Sequence, residues 1–241
     1  MAGHSKWKNI QHRKGAQDAK RGKVFTKIAI EITVSARMGG GNPEDNPSLR
    51  AALAKAKAAN MPKENCQRAI KKGTGEIAGA NYVEKIYEGY GPGGSAFIVQ
   101  CLTDNVNRTV SEVRHAFTRH GGNLGQEGSV NWMFLRKGVL VYDKNKIDDF
   151  DKLFETALEE GAEDVEEEGE QIEIKCKPED FAKLKSKLDL ISSDYLFCEI
   201  TMIPKNLIDI EPAKVEGLRK MLDALEDKDD VQNVYHNGNI D

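Results

Sequence analysis

Between Val139 and Met202 the apolar residues switch repeatedly between strand spacing and helix spacing, and this constrains the fold more than any other feature of the chain. Val139–Tyr142 reads as a strand. Phe150, Leu153, Phe154, Ala157 and Leu158 recur at helical spacing. A weak strand follows around Val165, and Ile172, Ile174 and Cys176 alternate. Pro178 opens a second helix carrying Phe181, Leu184 and Leu188, and Leu196, Cys198, Ile200 and Met202 alternate again. The order is β-α-β-β-α-β, a ferredoxin-like unit that can close its own core.

Upstream, 83–90 reads as a strand, Gly91-Pro92-Gly93-Gly94 as its turn and 96–102 as a buried strand. Val106, Val110, Val113 and Phe117 mark a helix that Gly121-Gly122 ends, and Val130, Trp132 and Phe134 alternate as a further strand. This stretch lacks a second helix and a last strand. The C-terminus supplies both: Pro212 starts a helix with Val215, Leu218, Leu222 and Leu225, and 231–236 reads as a strand. The expectation is that residues 137–203 are inserted into a discontinuous domain made of 81–136 and 204–241.

The N-terminal third has a different character. Residues 1–22 hold almost nothing that could build a core. Phe25, Ile28, Ala29, Ile32 and Ala36 then form one stripe of a helix over 23–38, stopped by Gly39-Gly40-Gly41. Asn46-Pro47 is a helix start, with Asn as cap and Pro in the first turn, and Pro62 starts a third helix that ends before Gly73. The fold class expected is therefore α+β: an N-terminal three-helix domain (1–80 with its arm) followed by two ferredoxin-like α/β domains, one inserted in the other.

Charge divides along the same line. Residues 1–80 hold 16 Lys/Arg against 6 Asp/Glu, a balance of +10, although the whole chain carries −4. That asymmetry points to a polyanionic partner for the basic part. Lys6, Lys8, Arg13, Lys14, Lys20, Arg21, Lys23 and Lys27 offer phosphate-neutralising charge, and Trp7, His4 and His12 can stack on unpaired bases. The third helix adds Lys63, Gln67 and Lys71 at i, i+4 and i+8, with Arg68 and Lys72 alongside. A solubilising basic tail is the plain alternative. Trp7 and the continuation of charge onto helices weigh against it. The stretch 143–170, with 13 acids against 3 Lys, reads as a solvated face, or as one that would repel a phosphate backbone.

Other chemistries find little support. Gly89-Tyr90-Gly91-Pro92-Gly93-Gly94 matches a dinucleotide fingerprint literally, but a strand follows it where a helix start is needed. His115 and His120 are five apart, about 140° around a helix, so they do not converge on one metal ion. Cys66, Cys101, Cys176 and Cys198 form no CxxC and read as reduced thiols. No nucleophile–base set is marked, so no catalytic residues, cofactor or metal are expected. The segment Gly94–Gln100 resembles an RNA-recognition strand, but its leading basic residue is missing and Gln100 sits where the last aromatic should be, and Phe97 and Val99 read as core. A basic start without an apolar run is not a signal peptide, and a mitochondrial transit peptide is the alternative weighed against the arm.

MAGHSKWKNIQHRKGAQDAKRGKVFTK, NPSLRAALAKAKAANMPKENCQRAIKKGTGE, YEGYGPGG and CLTDNVNRTVSEVRHAFTRHGGNLGQEGSVNWMF resemble the YebC family from end to end. The resemblance implies a helical domain followed by two α/β domains, no catalytic residues and a cytoplasmic protein, similar to bacterial members that begin at this motif. Members are described as DNA-binding transcriptional regulators. Others are described as translation factors that act on ribosomes, including a mitochondrial cytochrome oxidase translational activator and bacterial forms that help elongation through proline-rich stretches. The expected partner is thus nucleic acid, either DNA or ribosomal RNA, with the α/β domains positioning a protein partner and no membrane involved.

Overall fold

The computed structural model describes residues 21–240, with Arg21 described by its main chain. Their α+β build separates into two compact units: Trp132–Leu207, and the remaining described residues on either side of it.

Three helices open the second of these units: α1 (Arg21–Gly39), α2 (Pro47–Ala58) and α3 (Lys63–Thr74). Ile28, Ile32 and Ala36 of α1 pack with Leu49, Ala52 and Ala56 of α2 and with Cys66 and Ala69 of α3. Asn46 ties the first two together. Its side-chain oxygen accepts from the Leu49 amide at 3.0 Å, which caps α2, while its amide nitrogen donates to the Ser35 and Gly40 carbonyls at 2.8 and 2.9 Å. Gly73 lets α3 approach α1 closely. A Cβ there would lie 2.4 Å from the Thr33 carbonyl oxygen and 2.7 Å from the Ala36 Cβ.

In the same unit, β1 (Val83–Tyr90) and β2 (Ala96–Thr103) form an antiparallel hairpin from Val83↔Thr103 to Tyr90↔Ala96. The two-residue β3 (Asn123–Leu124) joins the β1 edge, and β9 (Val231–His236) joins β2, giving the order β3-β1-β2-β9. Phe97, Val99 and Cys101 of β2 pack under α4 (Val106–Arg119) and α7 (Pro212–Glu226). A short parallel pair, β8 (Ile208–Asp209) with β10 (Gly238–Asn239), closes the C-terminal end. Asp230 buckles β9 to its neighbours. It accepts from Thr109 Oγ1 at 2.6 Å, Thr103 Oγ1 at 3.2 Å and the Arg108 guanidinium at 2.7 Å.

The strand expected over Val130–Phe134 is not formed. Asn131–Met133 is a single 3₁₀ turn, and Trp132 is 62% exposed. The reason lies on β1. Glu88 is buried, and its carboxylate accepts from the amides of Gly128, Val130 and Asn131 at 2.7, 2.7 and 2.8 Å. Amides committed to a carboxylate are withheld from a strand ladder.

The unit Trp132–Leu207 consists of β4 (Phe134–Asp143), α5 (Phe150–Glu159), β5 (Ala162–Glu168), β6 (Gln171–Cys176), α6 (Phe181–Leu188) and β7 (Tyr195–Pro204). The sheet order is β5-β6-β4-β7, antiparallel throughout. β4 starts at Phe134 rather than at Val139, because it pairs with β7 along its whole length, from Phe134↔Pro204 onward. Leu140, Tyr142, Ile172 and Ile174 face Leu153, Ala157, Leu184 and Leu188 of the helices. The other sheet reaches the same two-layer build by a different path, beginning with its central hairpin.

Candidate nucleic-acid interface

Lys6, Trp7, Lys8, His12, Arg13, Lys14 and Lys20 lie outside the described residues, as does the side chain of Arg21. The other five expected contacts are described, and the structure divides them into two groups.

Lys23 and Lys27 are one turn apart on α1 and serve the fold. Lys23 Nζ donates to the Asp227 main-chain oxygen at 2.8 Å and meets the Asp227 carboxylate at 2.7 Å. Lys27 is only 8% exposed, and its Nζ donates to the Glu226 main-chain oxygen at 2.7 Å. Two ammonium groups therefore sit on the last carbonyls of α7, where a helix leaves acceptors unpaired and its dipole favours cations. Burial pulls the Lys27 pKa below its ordinary value, and the carboxylates of Glu226 and Asp229 partly oppose that. An ammonium in this position is not presented to a phosphate. This corrects the expectation for Lys27, and it leaves Lys23 half-engaged.

Lys63, Lys71 and Lys72 behave differently. Together with Gln67 and Arg68 they are exposed along α3, while Cys66, Ala69 and Gly73 face the helical core. None of the four cations has an ion-pair partner among the described residues. At 1.5 Å per residue the stripe from Lys63 to Lys72 is about 14 Å long, with its charged ends free to follow a backbone. Arg68 belongs to this surface as fully as its lysine neighbours. The helical spacing was its signal in the sequence, since i+5 and i+9 flank the i, i+4, i+8 row.

Five of the thirteen acids of the acidic stretch are ion-paired within their own unit. Lys175 Nζ, nearly buried on β6, meets Asp164, Glu166 and Glu173 at 3.1, 2.7 and 2.9 Å. Glu163 pairs with Lys137, Glu167 with Lys144, and Glu160 with Lys183 at 2.9 Å. These pairs fit the reading of a solvated face.

Little else invites chemistry. Burial raises the thiol pKa of Cys101 and of Cys198 to about 12 and that of Cys176 to about 11, which suppresses the thiolate form. Among the described residues no group of three or more His, Cys, Asp or Glu is placed to hold a metal ion, and no helix is long and apolar enough to cross a membrane. The glycine-rich Gly91–Gly94 segment is a hairpin turn, closed by the Gly91 amide donating to the Ser95 carbonyl at 2.7 Å. Gln100 accepts from Asn233 and Tyr235, and Phe97 and Val99 are core.

Comparison with known proteins gives the fold its lineage. Residues 5–76 match the family described as the TACO1/YebC protein N-terminal domain, and residues 82–238 match the TACO1/YebC second and third domain. The chain belongs to the TACO1/YebC family. It is 56% identical, over its whole length and 96% of the relative's, to a protein of Geobacter sulfurreducens named "Probable transcriptional regulatory protein". A protein of Clostridium tetani with the same name is 52% identical, over 98% of this chain and 96% of its own. Among solved structures, a conserved hypothetical protein from Aquifex aeolicus superposes with a TM-score of 0.80 at 47% identity, covering 92% of this chain and 91% of that one.

Proposed function

We propose that this protein is a non-enzymatic regulator of gene expression that works in the cytoplasm by binding nucleic acid through the arm and the exposed face of α3, as a DNA-binding transcriptional regulator. The observation that carries this reading is the α3 stripe. Lys63, Arg68, Lys71 and Lys72 share one exposed surface with no ion-pair partner among the described residues, in the most basic part of a net-acidic chain. The names of the TACO1/YebC relatives support transcription as the process. Phosphate contacts of this kind position a protein and carry no base sequence. A second reading, ribosomal RNA and control of translation, is favoured by Trp7, whose indole suits stacking on an unpaired base. In either reading the α/β domains are the surfaces that position a protein partner.

Titration of labelled nucleic acid with the full chain at several salt concentrations tests the proposal. Each phosphate contact adds about 0.9 to the slope of log K against log salt on a duplex. Replacing Lys63, Arg68, Lys71 and Lys72 together by Ala should lower the slope by about 3–4 and weaken binding evenly across sequences. A slope that does not move would overturn the role of α3. Competition between a DNA duplex and an RNA with unpaired loops then separates the two readings.

A further inference from the structure

The last turn of α4 gathers cations to which neither the fold nor a metal site gives a role. His115 and Arg119 are one turn apart on its exposed side, and His120 caps it. The turn ends against α7. A Cβ on Gly217 would lie 3.9 Å from the His120 carbonyl oxygen, and one on Gly122 would lie 3.3 Å from Met221 Sδ. Lys220 leaves α7 three residues after Gly217, with its side chain 62% exposed. Two helices thus bring four basic groups to one corner.

The charges around His120 are those of Arg119 and His115 on its own helix and Lys220 on α7. Burial first, and then these three cations, hold its pKa below the usual histidine value. β3 packs on α4 but contributes only Asn123 and Leu124, and β2 contributes no charged residue. On β1, Glu84 and Lys85 lie at the opposite end, beside Thr103 where α4 begins, and Glu88 is held by amides 128–131. The acids nearest in the chain are Glu112 on α4, one turn before His115 and 3.9 Å from Lys228, and on α7 Asp223, one turn after Lys220, and Glu216, which meets Lys220 at 3.2 Å with both side chains exposed. Such a pair contributes little and is readily exchanged. His115, Arg119 and His120 have no acidic partner among the described residues. Like charges held together disfavour one another, and a polyanion relieves that repulsion.

We propose that this corner of the α4–α7 layer is a second contact surface for the phosphate backbone of the nucleic acid, distinct from α3. It rests on the nucleic-acid reading given above. Arg119 and Lys220 supply permanent charge. His120, held below the usual histidine value when free, supplies charge that the ligand itself induces, because a bound phosphate favours its imidazolium and binding takes up a proton, and His115 stands one turn before Arg119 on the same face.

Anisotropy titrations of the full chain with a DNA duplex and with a structured RNA test this. Arg119→Gln with Lys220→Gln should lower the salt slope by about two while α3 is intact. Arg119→Lys should preserve the slope. Glu216→Gln should tighten binding by freeing Lys220. Wild-type affinity should rise as pH falls from 8 to 6, by at most about tenfold per pH unit for each proton taken up. The chain holds other histidines, so the informative quantity is the part of that rise lost in His115→Gln with His120→Gln. Thermal unfolding of each variant confirms that the corner still folds. If the Arg119/Lys220 double variant and the double histidine variant both match wild type while the α3 variant loses slope, this surface is not a contact and only this inference fails. If wild type itself shows no salt-dependent binding, the nucleic-acid reading falls with it.

Discussion

Lys27 and Lys71 are both lysines on helices of the N-terminal third, yet their surroundings give them opposite duties. Lys71 is exposed on α3, and its charge is available to a ligand. Lys27 is buried against the Glu226 carbonyl, and its charge completes a helix terminus. The buried ammonium makes stability depend on pH in a definite direction. Folding lowers the Lys27 pKa, so the unfolded chain binds the proton more tightly. Below the folded value both states are protonated, and the cost of burial is fully present. Between the folded value and the ordinary lysine value stability at this position rises with pH, and above the latter the cost is gone. Lys27→Met fills similar space without the charge. Denaturant unfolding from pH 7 to 10 should therefore show wild type gaining stability relative to Lys27→Met as pH rises. A difference that stays flat, or runs the other way, would refute this account of Lys27.

At the scale of elements, close approach decides more than propensity. Alanine favours a free helix over glycine by about 1 kcal/mol, so propensity alone says that Gly73→Ala should stabilise α3. The structure predicts the reverse. The new Cβ would meet the Thr33 carbonyl oxygen at 2.4 Å, and that oxygen is main chain and cannot swing aside. α1 and α3 must separate, at a cost of about 1–3 kcal/mol. The sign of the change in urea unfolding distinguishes the two accounts. The missed strand over Val130–Phe134 follows the same logic. Its alternation of Val, Trp and Phe is genuine, but Glu88 takes the amides of Val130 and Asn131, and the pattern is left as a turn leading into β4.

For the whole molecule, two four-stranded sheets differ in how much of the chain they need. The sheet β5-β6-β4-β7 is drawn from 134–204 alone, and its core is local. The sheet β3-β1-β2-β9 needs β9 and the Leu218, Met221 and Leu225 face of α7, which arrive after the intervening unit. A fragment of residues 132–207 should therefore unfold cooperatively by itself. A fragment of 81–131 should not, because Phe97, Val99 and Phe117 would lose the apolar cover that α7 gives them. Cooperative melting of 81–131 would show that the hairpin and α4 form a sufficient core without the C-terminus.

Periodicity is a local property, and it was enough to place the helices of the N-terminal third, the β-α-β-β-α-β order after Val139, and the C-terminal helix and strand. Long contiguous motifs were enough to point to the family. The stripe on α3 was legible because i, i+4 and i+8 share a face wherever the helix packs. What the sequence could not carry was which surface each element turns to a distant one. Lys27 looked like Lys63 until the end of α7 was placed over it, some two hundred residues along the chain. The pairing of His115, Arg119 and His120 with Lys220 likewise had no signal in spacing, since a hundred residues and a whole folded unit separate the two helices. A charge is a ligand contact or a structural cap according to what the tertiary structure packs against it, and that choice is made by long-range burial, to which local periodicity is blind.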